Sequence, residues 1–175
     1  MLERFDYLVL GGGIAGLCFA LEASKHGSVA VLTKRSQNEG ATNYAQGGIA
    51  AVLSSDDSFE AHVTDTLNAG AGLCHRDAVE VCVREAPERI QALIDLGVSF
   101  SRHNGELDLT REGGHTRRRV AHASDMTGRE IERALIAACT DRPNISFFPF
   151  SMAIDLITER KLGRSASNRC LGAYV

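Results

Sequence analysis

A chain of 175 residues with 44% hydrophobic and 23% charged residues has ordinary globular composition and enough length to bury a real core. Its net charge of −3 excludes a strongly basic nucleic-acid binder, and no apolar run approaches the roughly 18 residues of a membrane span. The five cysteines (Cys18, Cys74, Cys82, Cys139, Cys170) are odd in number, scattered and without a C-x-x-C pair. That pattern argues against a disulfide framework or a thiolate zinc site and for a reducing cytosol. Met1–Tyr7, with Glu3 and Asp6, lacks the basic start of a signal peptide, so a cytoplasmic location is expected.

Phe5–Leu10 is short, apolar and β-prone and predicts a buried strand. A glycine run, Gly11-Gly12-Gly13-Ile14-Ala15-Gly16, follows, then a helix over Leu17–His26 stopped by Gly27, then a strand over Val29–Thr33. Asp57-x-x-Glu60 has the form of a capping box opening a helix to about Asn68. Asp77-x-x-Glu80 opens another, which Pro87 divides and Gly97 ends. Asn104-Gly105, between strand-like Val98–His103 and Glu106–Thr110, is the strongest hairpin signal. Thr127-x-x-Glu130 caps a helix to about Thr140, and Ile145–Phe150, Ala153–Glu159 and Cys170–Val175 follow as strands. Lys161–Arg169 is the one polar, linker-like stretch, expected as a surface loop, and there is no internal repeat or low-complexity tract.

Strand, glycine turn, helix and strand within about thirty residues is the setting in which G-x-G-x-x-G carries meaning. Gly11 permits the tight turn, Gly13 lets backbone approach a pyrophosphate, and Gly16 lets helix and strand pack closely. Phosphates then face the positive end of the helix dipole. At the end of the second strand, where an acidic residue usually binds ribose hydroxyls, stands Thr33-Lys34-Arg35. Either a 2′-phosphate site, hence NADP, or a flavoprotein in which Lys34 takes the adenosine end would suit it. In Ala41–Val52, Gly47 and Gly48 suit a second close backbone approach to a flat ligand or an ordinary turn before a strand. The basic run Leu109–Arg119 is too short, and too poor in aromatics, for nucleic acid. His115 and His122 lack a third metal ligand.

Y-A-Q-G-G-I-A-A-V at 44–52 and L-T-R-E-G-G-H at 109–115, with A-G-A-G-L-C-H at 69–75 and A-I-D-L-I at 153–157, identify a resemblance. The chain resembles the succinate dehydrogenase and fumarate reductase flavoprotein family, and within it the L-aspartate oxidase branch, through essentially all of residues 5–175. The resemblance implies an α/β fold with a Rossmann-like FAD-binding domain, incomplete at its C-terminal end. It implies that Gly12, Gly13, Ile14 and Ala15, within the Gly11–Gly16 loop, hold the FAD pyrophosphate, with Lys34 near the adenosine end. Ala41, Thr42, Asn43, Tyr44, Ala45, Gln46, Gly47 and Gly48 would wrap the ribityl chain and isoalloxazine. At Ala41 the branch usually has Ser, and membrane-complex relatives have the His that binds FAD covalently. With Ala41, noncovalent FAD is expected.

The resemblance also makes Glu112 the residue that orients L-aspartate. Aspartate carries an ammonium that succinate lacks, and a carboxylate pairs with it. His115 and Arg119 are weaker candidates, for packing near the flavin or for a substrate carboxylate. The implied reaction is oxidation of L-aspartate to iminoaspartate, with O2 or fumarate as electron acceptor, at the first step of quinolinate and NAD biosynthesis. Quinolinate synthase would be a metabolic neighbour. Residues 1–175 correspond to the N-terminal part of the FAD-binding domain. The capping and helical C-terminal domains, with the proton-transfer arginine, lie outside them, so no turnover is expected of the chain alone. The rivals are a fumarate reductase or succinate dehydrogenase flavoprotein and a noncatalytic nucleotide-binding module.

Overall fold

The computed structural model describes residues 2–124, 126–164 and 168–175, which form two compact units. The first comprises Met1–Asn43 and Leu135–Val175, the second Tyr44–Ala134.

In the first unit, β1 (Tyr7–Leu10), β2 (Val29–Leu32) and β8 (Ile145–Phe148) make a parallel sheet in the order β1-β2-β8, with Val9 opposite Val31 and Val31 opposite Phe147. All four residues of the central strand β2 are buried, as expected of a parallel strand covered on both faces. Helix α1 (Ile14–Ala23) joins β1 to β2 and buries Leu17, Ala20 and Ala23, one helical face at intervals of three. It begins three residues before the expected start, directly from Gly13. Gly27 does not end it in a left-handed conformation. A Cβ there would lie 2.6 Å from the Asp6 carboxylate, which accepts from the Ser28 N–H and hydroxyl at 2.8 and 2.7 Å. The carbonyls of Ser24 and Gly27 are met by the Asn144 side-chain amide at 2.6 and 2.8 Å. An antiparallel pair, β9 (Asp155–Thr158) and β10 (Cys170–Tyr174), completes this unit. Of the expected loop Lys161–Arg169, residues 165–167 lie outside the described residues.

In the second unit, α2 (Phe59–Ala69) packs on α3 (Arg76–Asp95), beside an antiparallel sheet of β3 (Ile49–Ala50), β7 (Val120–Ala121) and β6 (Leu109–Thr110). Asp57 does not cap α2. Its carboxylate is drawn to Arg119, and Ser58 is the cap, accepting from the Ala61 N–H at 3.1 Å. Asp77 likewise lies inside the first turn of α3, where its charge suits the dipole, with His75 in the cap position. Pro87 does not divide α3, which runs unbroken for 20 residues. An internal proline costs about 3 kcal/mol. Val83, Ile90 and Leu93 are buried on either side of it and Arg89 bonds Glu85 at 2.6 Å across it, so packing holds both halves in line. The Asn104-Gly105 hairpin forms between β4 (Arg102–His103) and β5 (Glu106–Leu107), with φ of +51° and +89° at the turn. The flanking strands are shorter than expected, 98–101 and 108 lying outside them.

Helix α4 (Thr127–Thr140) has residues in both units. The Thr127 hydroxyl accepts from the Ala123 N–H at 3.0 Å, and Glu130 bonds Arg133 at 2.8 Å and the Ser99 N–H at 2.9 Å, so the expected capping box gives way to these contacts. All five cysteines are free thiols, and Cys139, fully buried, bonds the Leu17 carbonyl at 3.7 Å; burial pushes its thiol up to about 11. Leu17 is fully buried in the first unit. Leu17→Ala is expected to lower stability by about 2–5 kcal/mol in urea titration of the purified chain, and a loss under about 1 kcal/mol would contradict this packing.

Candidate functional site: a glycine turn and a clamped acidic turn

In the first unit the glycine turn leaves β1 and enters α1 without a residue to spare. Gly11 sits at φ +113°, where a side chain is strained. A Cβ on Gly16 would lie 2.1 Å from the Gly11 carbonyl oxygen and 3.2 Å from Val9 Cγ1, so only glycine lets α1 come this close to β1. A Cβ on Gly12 would lie 2.7 Å from Thr33 Cγ2. Gly13, at the N-cap position, has no side chain to cap with. The Thr42 hydroxyl, from the 3-10 turn Ala41–Tyr44, accepts from the Ile14 N–H at 3.1 Å instead. Thr42 thereby joins two sequence-predicted cofactor segments. The first turn of α1 holds no carboxylate, so its positive end is not neutralised by the chain. A helix N-terminus without a carboxylate, behind a glycine turn, fits a pyrophosphate. Lys34 is exposed at the end of β2, and Ala41 is exposed with no nucleophile.

A feature the glycine pattern did not announce lies at the carboxyl ends of β2 and β8. The Phe150 N–H bonds the Arg35 carbonyl at 3.2 Å and the Ser151 N–H bonds the Thr33 carbonyl at 3.0 Å. Beside these bonds is a cleft of about 430 Å³ lined by Ser36, Gln37, Asn38, Ile136, Pro149 and Phe150. Phe150 is 77% exposed and stands at φ +56°, a sparsely populated conformation for a residue with a side chain. Ligands of open α/β sheets bind outside the carboxyl ends of the strands. Its only sequence signal is a Pro-Phe pair ending an apolar strand.

In the second unit Tyr44, Ala45, Gln46 and Gly47 are exposed, and the Ala45 carbonyl accepts from the Gly128 N–H at 3.0 Å. Gly48 has a packing reason of its own, since a Cβ there would lie 2.3 Å from the Ala121 carbonyl oxygen.

Arg119 is fully buried. Its Nε and Nη2 donate to Asp57 Oδ2 and Oδ1 at 2.8 and 2.7 Å, and Nη1 donates to Asp65 Oδ2 at 2.6 Å. Nη1 also lies 3.3 Å from His115 Nδ1. Its donors are thus turned to the protein's own carboxylates. His115 is half-buried and meets the buried His62 edge to face at 5.6 Å. Burial, then the Arg119 charge, holds His62 below its ordinary value. Burial alone would raise Asp65, but the Thr116 backbone and hydroxyl bonds and Arg119 outweigh it and hold the carboxyl at about 2. Asp57 is lowered in the same way, the Arg119 bonds prevailing over burial. Glu112 is exposed on the turn that follows β6, where the His115 N–H bonds the Glu112 carbonyl at 3.2 Å.

A nucleotide-binding α/β domain with a glycine turn at the N-terminus of its first helix is the class these features define. The chain belongs to the FAD binding domain family, matched over residues 6–175, and FAD is its cofactor. It is 57% identical over 155 residues to L-aspartate oxidase 2-b, chloroplastic, of Nicotiana tabacum, covering 88% of this chain and 24% of that protein. It is 52% identical over 180 residues to L-aspartate oxidase of Pseudomonas aeruginosa, covering 98% of this chain and 33% of that protein. Among solved structures, the quinol fumarate reductase FrdA of E. coli superposes with a TM-score of 0.83 at 31% identity, covering 89% of this chain and 27% of that one. The chain spans about a quarter to a third of the length of the curated relatives it matches. Among the described residues no helix is long and apolar enough to cross a membrane, and no cluster of three His, Cys, Asp or Glu could hold a metal.

The folded pKa of Asp65 lies below its unfolded value of 3.8, so its contribution to stability is complete above about pH 4 and lost as pH falls toward 2. Urea unfolding monitored across pH 5 to 2 is expected to show that loss, and Asp65→Asn to flatten it. An equal slope in both proteins would contradict the ion-pair assignment.

Proposed function

We propose that this chain is the front part of the FAD-binding domain of an enzyme that oxidises L-aspartate to iminoaspartate. The observation that carries the reading is Glu112, an exposed carboxylate presented on a turn whose next residues are tied to buried charges. The substrate's ammonium is the group that distinguishes it from a plain dicarboxylate, and a fixed carboxylate binds it by a charge-assisted hydrogen bond. Succinate and fumarate offer this carboxylate no ammonium, so the pairing favours aspartate over a plain dicarboxylate.

Gly12, Gly13, Ile14 and Ala15 would hold the pyrophosphate, the Ile14 N–H being shared with the Thr42 hydroxyl, and Lys34 with the cleft beside Phe150 would take the adenosine end. Ala41–Gly48 would line the remainder, noncovalently since Ala41 offers no nucleophile. When bound, FAD supplies a two-electron acceptor at flavin N5 that O2 or fumarate reoxidises. Glu112 holds the ammonium and thereby orients the carbon that loses hydrogen. The proton-transfer arginine is assigned outside residues 1–175, and this stretch alone is expected to be inactive. The product imine would feed quinolinate and NAD synthesis, with quinolinate synthase its consumer, in the cytoplasm.

In the full-length, FAD-loaded protein, Glu112→Gln is expected to raise KM for L-aspartate by about tenfold or more, the scale of one charge-assisted bond, while KM for fumarate changes by less than about twofold. Steady-state kinetics with each substrate checks this, and equal changes for the two would contradict it.

A further inference from the structure

We infer that Thr116 and Asp65 are positioning residues that clamp the turn carrying Glu112, with Arg119 fixing Asp65 in turn. The inference rests on the reading of Glu112 as the residue that orients the substrate.

Composition leaves this turn loose. Gly113 and Gly114 follow Glu112 directly, Gly114 at φ +84°, and neither carries a side chain that could pack. A Cβ on Gly113 would meet nothing within 4 Å. Within the turn only the bond from the His115 N–H to the Glu112 carbonyl, at 3.2 Å, closes it. Such a segment samples many conformations unless something outside it holds its end.

What holds it is Asp65 of α2. A single oxygen, Oδ2, accepts three bonds: from the Thr116 N–H at 2.8 Å, from the Thr116 hydroxyl at 2.8 Å, and from Arg119 Nη1 at 2.6 Å. The carboxylate is 51 residues from Thr116 in the chain, so the bonds tie the turn to a helix and not to its own neighbours. Arg119 is held by the bidentate pair with Asp57, and its own N–H bonds the Thr110 carbonyl at 3.1 Å on the other side of the turn. The turn is therefore fastened just before Glu112, through Thr110, and four residues after it, through Thr116. His115, between the clamp and Glu112, is braced by the buried ring of His62. A charged side chain that must meet an ammonium within a few tenths of an ångström needs this kind of support behind it.

Thr116 is exposed, so its replacement tests the clamp without opening the buried ion pairs. In the full-length FAD-loaded protein, Thr116→Val is expected to raise KM for L-aspartate about five- to tenfold, the scale of one lost hydrogen bond, with kcat within about twofold and KM for fumarate unchanged. Thr116→Ser, which keeps the hydroxyl, should restore the parent KM. In a Glu112→Gln background Thr116→Val should add less than about twofold, since a clamp acts only through the residue it places. Amide exchange of residues 112–116, measured without substrate, should quicken in Thr116→Val and recover in Thr116→Ser. Unchanged exchange overturns the clamp. Quickened exchange with the same KM penalty in both backgrounds overturns its action through Glu112. A Glu112→Gln protein with unaltered KM for L-aspartate overturns the substrate reading itself, whatever the exchange shows.

Discussion

The contact between Gly16 and the Gly11 carbonyl sets the geometry of the first unit. With 2.1 Å between that oxygen and any Cβ at position 16, a side chain there would push α1 off β1. The burial of Leu17, Ala20 and Ala23 depends on this approach, and so does the aim of the helix N-terminus. Gly13 offers no cap and the first turn holds no acid, so the positive end of the dipole meets only the Thr42 hydroxyl, through the Ile14 N–H.

The second unit is organised by charge. Placing a guanidinium out of water is costly unless its donors are met, and Arg119 meets them with two carboxylates from either side of the start of α2. That demand explains why Asp57 abandons the capping position to Ser58. The same Asp65 carboxylate also binds Thr116, beyond the two glycines that follow Glu112. Glu112 is exposed, while the groups bonded to the end of its turn are buried or tied to a buried group.

Much of this was legible in the residues. The strand–glycine turn–helix–strand unit, the Asn104-Gly105 hairpin and the three late strands follow from local periodicity and turn chemistry, which act over a few neighbours. The family resemblance pointed to FAD as the cofactor. What local reasoning missed depends on residues far apart in sequence. Pro87 predicts a break because its intrinsic cost is local, whereas the burial of Val83, Ile90 and Leu93 that outweighs it is tertiary. The three capping boxes at Asp57, Asp77 and Thr127 matched their spacing, yet two of the side chains found distant or opposite partners. Nothing nearby in sequence announces that Asp57 and Asp65 take the donors of Arg119, a candidate for a substrate carboxylate. The left-handed Phe150 and its cleft are set by the pairing of two loops, and the Pro149-Phe150 pair is too weak a pattern to reveal them.

The most direct test of the account is the flavin content of the protein purified from its source, measured by absorbance before and after acid precipitation. One flavin per chain, all of it released into the supernatant, is the predicted result. Protein without flavin, or flavin retained on the precipitated chain, would contradict a glycine-turn FAD site with alanine at position 41.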